Sequence, residues 1–282
     1  MSLSKENQNG AKVAKKLPSF SRKQLCIPYG LFLALFVVLP LFIVVYYAFT
    51  DVNGVFTLNN FISFFSDTTK ITTLLISILV AFLVTIICIF IAYPVAYILS
   101  KMNKKTSFIL LLLFVMPMWI NFVLRAMAMK ELLSLIGIKL GSFANIIGLT
   151  YDFFPFMVMP LYSTLIKMDK SLEEAALDLG ASRTKVFLKI TLPLSVPGII
   201  SGAMMVFLPV MSCYVITDTF SGSTGFTVIG KLIAWCFMGE NGTMINTNGG
   251  ATISLILLVI MFLTMLFTGG FKSDNNLRGT NL

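Results

Sequence analysis

The chain has 282 residues, of which 57% are hydrophobic and only 12% charged, with 26 Phe, 16 Met and no His. A water-soluble domain carries about 25% charged residues, so a soluble enzyme is excluded, as are imidazole acid–base catalysis and haem ligation through His. The formal net charge of +9 comes without any stretch that interleaves basic and aromatic residues, which points to a polytopic membrane protein and away from a nucleic-acid binder.

Residues 1–23 are polar and Lys-rich and read as an N-terminal tail or interfacial anchor. Charge-poor segments then follow at 24–50, 71–100, 106–124, 143–166, within 190–217 and within 241–271. Each is long enough for the roughly 20 residues that a bilayer core requires. The first is too long for a cleaved signal peptide and has no small-residue cleavage site after it, so it reads as a retained anchor. The third runs on past Arg125, and Asp152 interrupts the fourth. Pro94, Pro117, Pro155 and Pro160 predict kinks in the second to fourth spans. The segments at 51–70 and 218–249 read as loops, the latter rich in Gly, Ser and Asn. The expected fold is all-α with six transmembrane helices over 24–270 and a short tail at 271–282.

Charge sets the orientation. With the tails, residues 100–107 and residues 167–194 on one side, that side holds 16 of the 21 Lys and Arg, while the acids divide evenly. Positive-inside insertion then places both termini in the cytoplasm of a multi-pass cell-membrane protein. Cys26, Cys88, Cys213 and Cys236 lack metal-ligand or CxxC spacing, so neither a metal site nor redox chemistry is indicated. No GxxxxGK[ST] loop occurs, so the chain is not expected to hydrolyse ATP, and no catalytic residue is assigned.

The sharpest signal lies at 167–194. Ser171 followed by Glu174 fits a capping box that opens an amphipathic helix bearing Leu172, Ala175, Ala176 and Leu179. Gly180 can take the left-handed conformation that ends it. Ser182 fits the cap of a second short helix, and Pro193 and Pro197 read as the turn back into the membrane, with Pro197 opening the fifth span. From these residues alone a docking knob and a plain interfacial hairpin stand level.

Intramembrane ionisable residues tend to face protein or water. Asp152 and Arg125 are therefore candidates for a translocation path, with Asp152 paired to Arg125 or Lys130 as the structural alternative. Asp218 and Glu240 bracket the segment before the sixth span and could attract a cation or simply be solvated. Trp119, Tyr93, Tyr151, Tyr162, Tyr214 and Trp235 could offer faces to an alkylammonium, or anchor at the membrane interface.

The run EEAALDLGASRTKVFLKITLPLSVPGI resembles the EAA motif of permease subunits of bacterial ABC importers. Glu174, Ala175, Ala176 and Gly180 match its core, and the resemblance implies that they form a coupling helix seated in a cleft of a cytoplasmic ATPase. The runs MPMWINFVLRAMAMK at 116–130, FPFMVMPLYSTLIKMDKSLEEAALDLGAS at 154–182 and LPVMSCYVITDTFSG at 208–222 are similar to B-type permeases of spermidine/putrescine importers. The chain departs from that subgroup in a shorter 131–143 and in Asp152, where an apolar residue is expected.

The resemblance implies a permease of the type I importer kind. Its partners would be an ABC ATPase dimer that uses ATP and Mg, a second homologous permease, an extracytoplasmic polyamine-binding protein and the lipid bilayer, with no nucleic acid and no cofactor on this chain. Asp152, Asp218, Arg125 and Trp119 become its substrate-path candidates. An importer of iron chelate, molybdate, sulfate or organophosphonate is the alternative within the class, and a secondary carrier the alternative outside it.

Overall fold

The computed structural model describes residues 26–222, 225–239 and 245–278. The chain divides after Ile43 into two units. In the first lie α1, Cys26–Leu33, a π-helical turn at Ala34–Val38, and the start of α2, Leu39–Ala48. Its continuous apolar sequence offers no polar face, as a helix exposed to lipid requires. Pro28–Ala48 is apolar and long enough to cross a membrane.

The second unit begins within α2, at Val44. The last carbonyls of that helix are met by amide side chains. Asn60 of α3, Asn59–Ser66, donates to Ala48 and Thr50, and Asn248 donates to Tyr47 and Thr50 at 3.2 and 2.6 Å. These contacts satisfy groups that a helix end leaves open. The long α4, Thr68–Lys101, is capped by Asp67, whose carboxylate accepts from the Thr69 and Lys70 amides. Pro94 lies inside it without ending it.

The third span is broken. Helix α5, Lys104–Val115, passes into a 3-10 turn at Met116–Trp119, and α6, Phe122–Leu135, leaves at 99° to it. Pro117 and the Asn121 cap, which accepts from the Val123 and Leu124 amides, mark the stop and the restart. Next come α7, Ser142–Leu165, α8, Lys170–Asp178, and α9, Arg183–Val186. A π turn at Phe187–Thr191 joins α9 to α10, Leu192–Ser212, without a break. The expected turn at Pro193 and Pro197 is thus absent. The wider π turn directly precedes Pro193 and relieves the clash and lost hydrogen bond that a proline brings to a helix interior.

Helices α4, α7 and α10 pack on one another to form the core. Ala81, Cys88, Ala92 and Ala96 give α4 a fully buried small-residue stripe. Gly198 and Gly202 do the same for α10. A Cβ on Gly198 would lie 2.7 Å from Thr164 Oγ1, and one on Gly202 would lie 2.6 Å from the Met157 sulfur. Small residues four apart let helix backbones approach closely where no hydrophobic force drives association.

Residues 218–249 hold more structure than loops. After α11, Tyr214–Phe220, comes α12, Ile229–Met238, a largely apolar helix of ten residues, too short to span. It packs against α4, α10 and α13, Thr247–Arg278. The Ile229 amide donates to Ser77 Oγ at 2.7 Å, and Gly230 lies directly against the Ser212 carbonyl. The sixth helix continues to Arg278, through most of the segment expected to be a tail. Among the described residues five helices are long and apolar enough to span, and six if the broken pair is one span.

Candidate functional site

Helix α8 carries the expected docking residues, but it starts earlier than the capping box predicts. Its N-cap is Asp169, whose carboxylate accepts from the Ser171 amide at 3.0 Å. A carboxylate here also meets the positive end of the helix dipole, so it takes the cap from the Ser171 hydroxyl. The Ser171 amide and hydroxyl in turn hold the Asp169 carboxyl below its ordinary range. The other end behaves as its sequence says. Gly180 has φ +82°, its amide donates to the Leu177 carbonyl at 2.9 Å, and the Ala181 amide reaches back to Ala176 at 3.0 Å. That is a Schellman close. A Cβ at Gly180 would meet nothing within 4 Å, so backbone conformation and not space restricts this position.

Neighbours in sequence part company on this helix. Glu174, Ala175 and Leu179 are exposed, Leu179 to 89%, whereas Glu173 and Ala176, three residues apart, are half-buried. Ala175 and Ala176 therefore do not form one outward patch. Glu173 is the residue that sequence reasoning passed over. Its carboxylate pairs with Lys101, at the end of α4, and accepts from the buried Thr191 hydroxyl at 3.0 Å.

Lys101 also lies over the Tyr97 ring, 5.3 Å from its centroid. Tyr97 and Tyr93 meet Phe187 edge-on, and the Tyr93 hydroxyl hydrogen-bonds Ser195 at 2.9 Å. One carboxylate thus fastens α8 to the ends of two core helices that are already locked together. The available signal was spacing. Glu173 lies about 100° around the helix from Glu174, facing away from the exposed motif residues.

The second cluster lies near the middle of α7. Asp152, 1% exposed, pairs with Arg125 of α6, itself 9% exposed. Arg125 Nη1 also donates to the Pro117 carbonyl at 3.1 Å, across the break between α5 and α6. The structure therefore brings these two path candidates together, in the pairing weighed as the structural alternative. Among the described residues Asp152 Oδ2 is buried without a partner, as are both amide atoms of Asn145, two turns away on the same face of α7.

Trp119 does not join them. It stands 81% exposed at the end of the 3-10 turn. Asp218 lies apart on α11, half-exposed and paired with Lys231, whose ammonium is 5.0 Å from the Trp235 ring centroid. Glu240 lies outside the described residues. No group of three or more Cys, Asp or Glu among the described residues could hold a metal ion.

With this geometry in place, residues 92–273 match the family described as binding-protein-dependent transport system inner membrane component, which covers more than half of the chain. The chain belongs to this family. Relatives within it include the spermidine/putrescine transport system permease protein PotB of Escherichia coli (strain K12), 36% identical over 60% of this chain and 66% of that protein. PotB of Haemophilus influenzae is 35% identical over 59% of this chain and 63% of that protein. The matched region thus spans slightly less than two thirds of these relatives' length.

The fold agrees across wider distances. A bacterial ABC transporter involved in import of the acidic polysaccharide alginate has a chain that superposes with TM-score 0.71 at 16% identity, over 89% of this chain and 94% of its own. The MetNI methionine ABC transporter gives TM-score 0.57 at 17% identity, over 75% and 96%. The protein is therefore an inner-membrane ABC-importer permease in fold. The family match takes in α8 and both cores of polar pairing, Lys101–Glu173 and Arg125–Asp152.

Proposed function

We propose that the chain is the transmembrane permease subunit of an ATP-driven polyamine importer, with spermidine and putrescine as its substrates. The observation that carries the coupling half of this reading is α8. It is capped at both ends, exposes Leu172, Leu177 and Leu179, and is fastened through Glu173 to α4 and α10. A surface helix held this way moves only with the helices behind it, which is what a lever between an ATPase and a membrane path requires. The polyamine half rests on the similarity to PotB proteins over most of the core.

In this reading α8 and both termini face the cytoplasm. An ABC ATPase dimer, using ATP and Mg, grips Glu174, Ala175 and the apolar residues of α8. A second homologous permease completes the path, and an extracytoplasmic binding protein delivers the polyamine. Nucleotide binding draws the ATPases together, the fastened coupling helices follow, and the core helices rearrange to admit the substrate. This chain contributes path and lever, and the hydrolytic chemistry belongs to its partner.

The test is uptake of radiolabelled spermidine and putrescine in cells lacking other polyamine routes, with the gene deleted and then restored. Restored saturable uptake that also needs the ATPase is expected. Equal uptake in both strains overturns the polyamine assignment and directs attention to other small solutes, with the coupling role of α8 still open to its own tests.

A further inference from the structure

Resting on the polyamine reading above, we propose that Asp152 is a transient binding site for a substrate ammonium group, and that Arg125 is the resident cation that holds the site closed. Three observations converge on it. First, among the described residues only one carboxylate oxygen of Asp152 is engaged, by Arg125 Nε, while Oδ2 is buried without a partner. Second, Arg125 belongs to the break in the third span, because the same guanidinium also takes the Pro117 carbonyl. Third, two cavities of about 400 and 280 Å³ are each lined by both Arg125 and Tyr151. Arg125 and Tyr151 are thus shared by the walls of both cavities.

The physical case is one of exchange. A bare carboxylate inside a membrane protein is costly, and so is a bare guanidinium. An incoming ammonium can engage the free Oδ2 before Arg125 releases the other oxygen, so Asp152 is never left without a cation. Arg125 keeps its Pro117 contact as it leaves, which moves its charge toward the break in the span. Tyr151, which lines both cavities, offers a ring face to an alkylammonium on the way. Asn145 lies roughly 10 Å along the same face of α7. Its amide oxygen, without a partner among the described residues, can accept from a second ammonium of the same extended molecule. A neutral or anionic solute cannot make this exchange, so the pair selects for cations.

The experiment uses the complete importer, with ATPase, second permease and binding protein, reconstituted in liposomes. Polyamine uptake and binding-protein-stimulated ATP hydrolysis are measured together. The key variant is the double neutralisation Arg125→Gln with Asp152→Asn, which leaves no unpaired charge. The expected result is at least a tenfold loss of uptake with hydrolysis within about twofold of the unmodified complex. Uptake restored to the unmodified level would show that the pair is only a brace, and would overturn the proposal.

Asp152→Glu guards against a double variant that fails to insert, because it keeps the charge and moves it by one methylene. It is expected to change the relative uptake rates of two-amine and three-amine substrates severalfold, and an unchanged ratio also overturns the site. Absence of polyamine uptake by the unmodified complex would instead sink the polyamine reading itself, and the Asp152 site with it.

Discussion

The Lys101–Glu173 and Arg125–Asp152 pairs use the same chemistry in opposite surroundings. At Lys101 and Glu173 the side chains retain 37% and 19% of their exposure, and Glu173 has a second partner in Thr191. At Arg125 and Asp152 exposure falls to 9% and 1%, and one carboxylate oxygen has no partner among the described residues. Water near the first pair screens it and solvates either member if the other is lost. The second has no such refuge, so losing one member leaves a buried charge uncompensated. The rim pair is therefore suited to transmitting movement at little cost to folding. The buried pair, disturbed only at a large cost, is the one to which the proposed selection of cations is assigned.

Breaking the buried pair on one side gives the largest expected effect. Arg125→Ala or Asp152→Ala should each cost about 3–5 kcal/mol, as for other buried pairs that lose one partner. The double neutralisation should cost clearly less than the sum of the two. Thermal unfolding in detergent and the amount of protein in the membrane check this. Single variants as stable as the unmodified chain would mean that water reaches Asp152 freely, and the contrast with the rim pair would collapse.

Gly180→Val comes next. A β-branched residue at φ +82° is strained by roughly 1–2 kcal/mol, while nothing crowds the new side chain. The strain falls on the close of α8, so insertion should remain normal while uptake drops severalfold more than ATP hydrolysis. Gly180→Asn, which tolerates the left-handed region better, should recover much of the loss. Unimpaired uptake by the Val variant would remove α8 from the lever.

Glu173→Gln keeps the size of the side chain and the bond to Thr191 but removes the ion pair. Stability should change by less than about 1 kcal/mol. The readout that matters is polyamine molecules moved per ATP hydrolysed, expected to fall about twofold or more as α8 slips against α4. Lys101→Met should give a similar ratio, and the double variant should be little worse than either one. Additive losses would show that the two residues act separately.

These contrasts mark what could be read from sequence and what could not. Gly180 was legible because its role is local, set by the φ value that a helix close demands. The six-segment count and the Arg125–Asp152 alternative were legible because charge in apolar sequence has few solutions. Glu173 was not, since its partners are 72 residues back and 18 residues ahead and only the assembled bundle joins them. The prolines, all expected to kink their spans, did not act alike. Pro94 and Pro155 sit inside unbroken helices, while Pro117 marks a 99° break. The difference lies in what surrounds each proline, since neighbouring helices can re-satisfy the backbone groups it frees. Helix α12 was hidden by turn-forming residues on both sides of a stretch too short to span. The Gly198–Gly202 spacing was present in the sequence and is explained only by how closely α7 approaches α10.

A third pair extends the comparison to the exposed limit. Asp218 is half-exposed and already neutralised by Lys231, which also rests on Trp235. Asp218→Asn should cost well under 1 kcal/mol, because solvent screens the pair and takes over when it breaks. If Asp218 only attracts cations over a distance, its loss should slow uptake about twofold or less, and only at low salt, where screening is weak. The measurement is initial uptake rate at low and physiological ionic strength, compared with the unmodified importer. A large loss that salt does not soften would mean that substrate touches Asp218 directly. Selection of the cation would then begin at this exposed pair, before the substrate reaches Asp152.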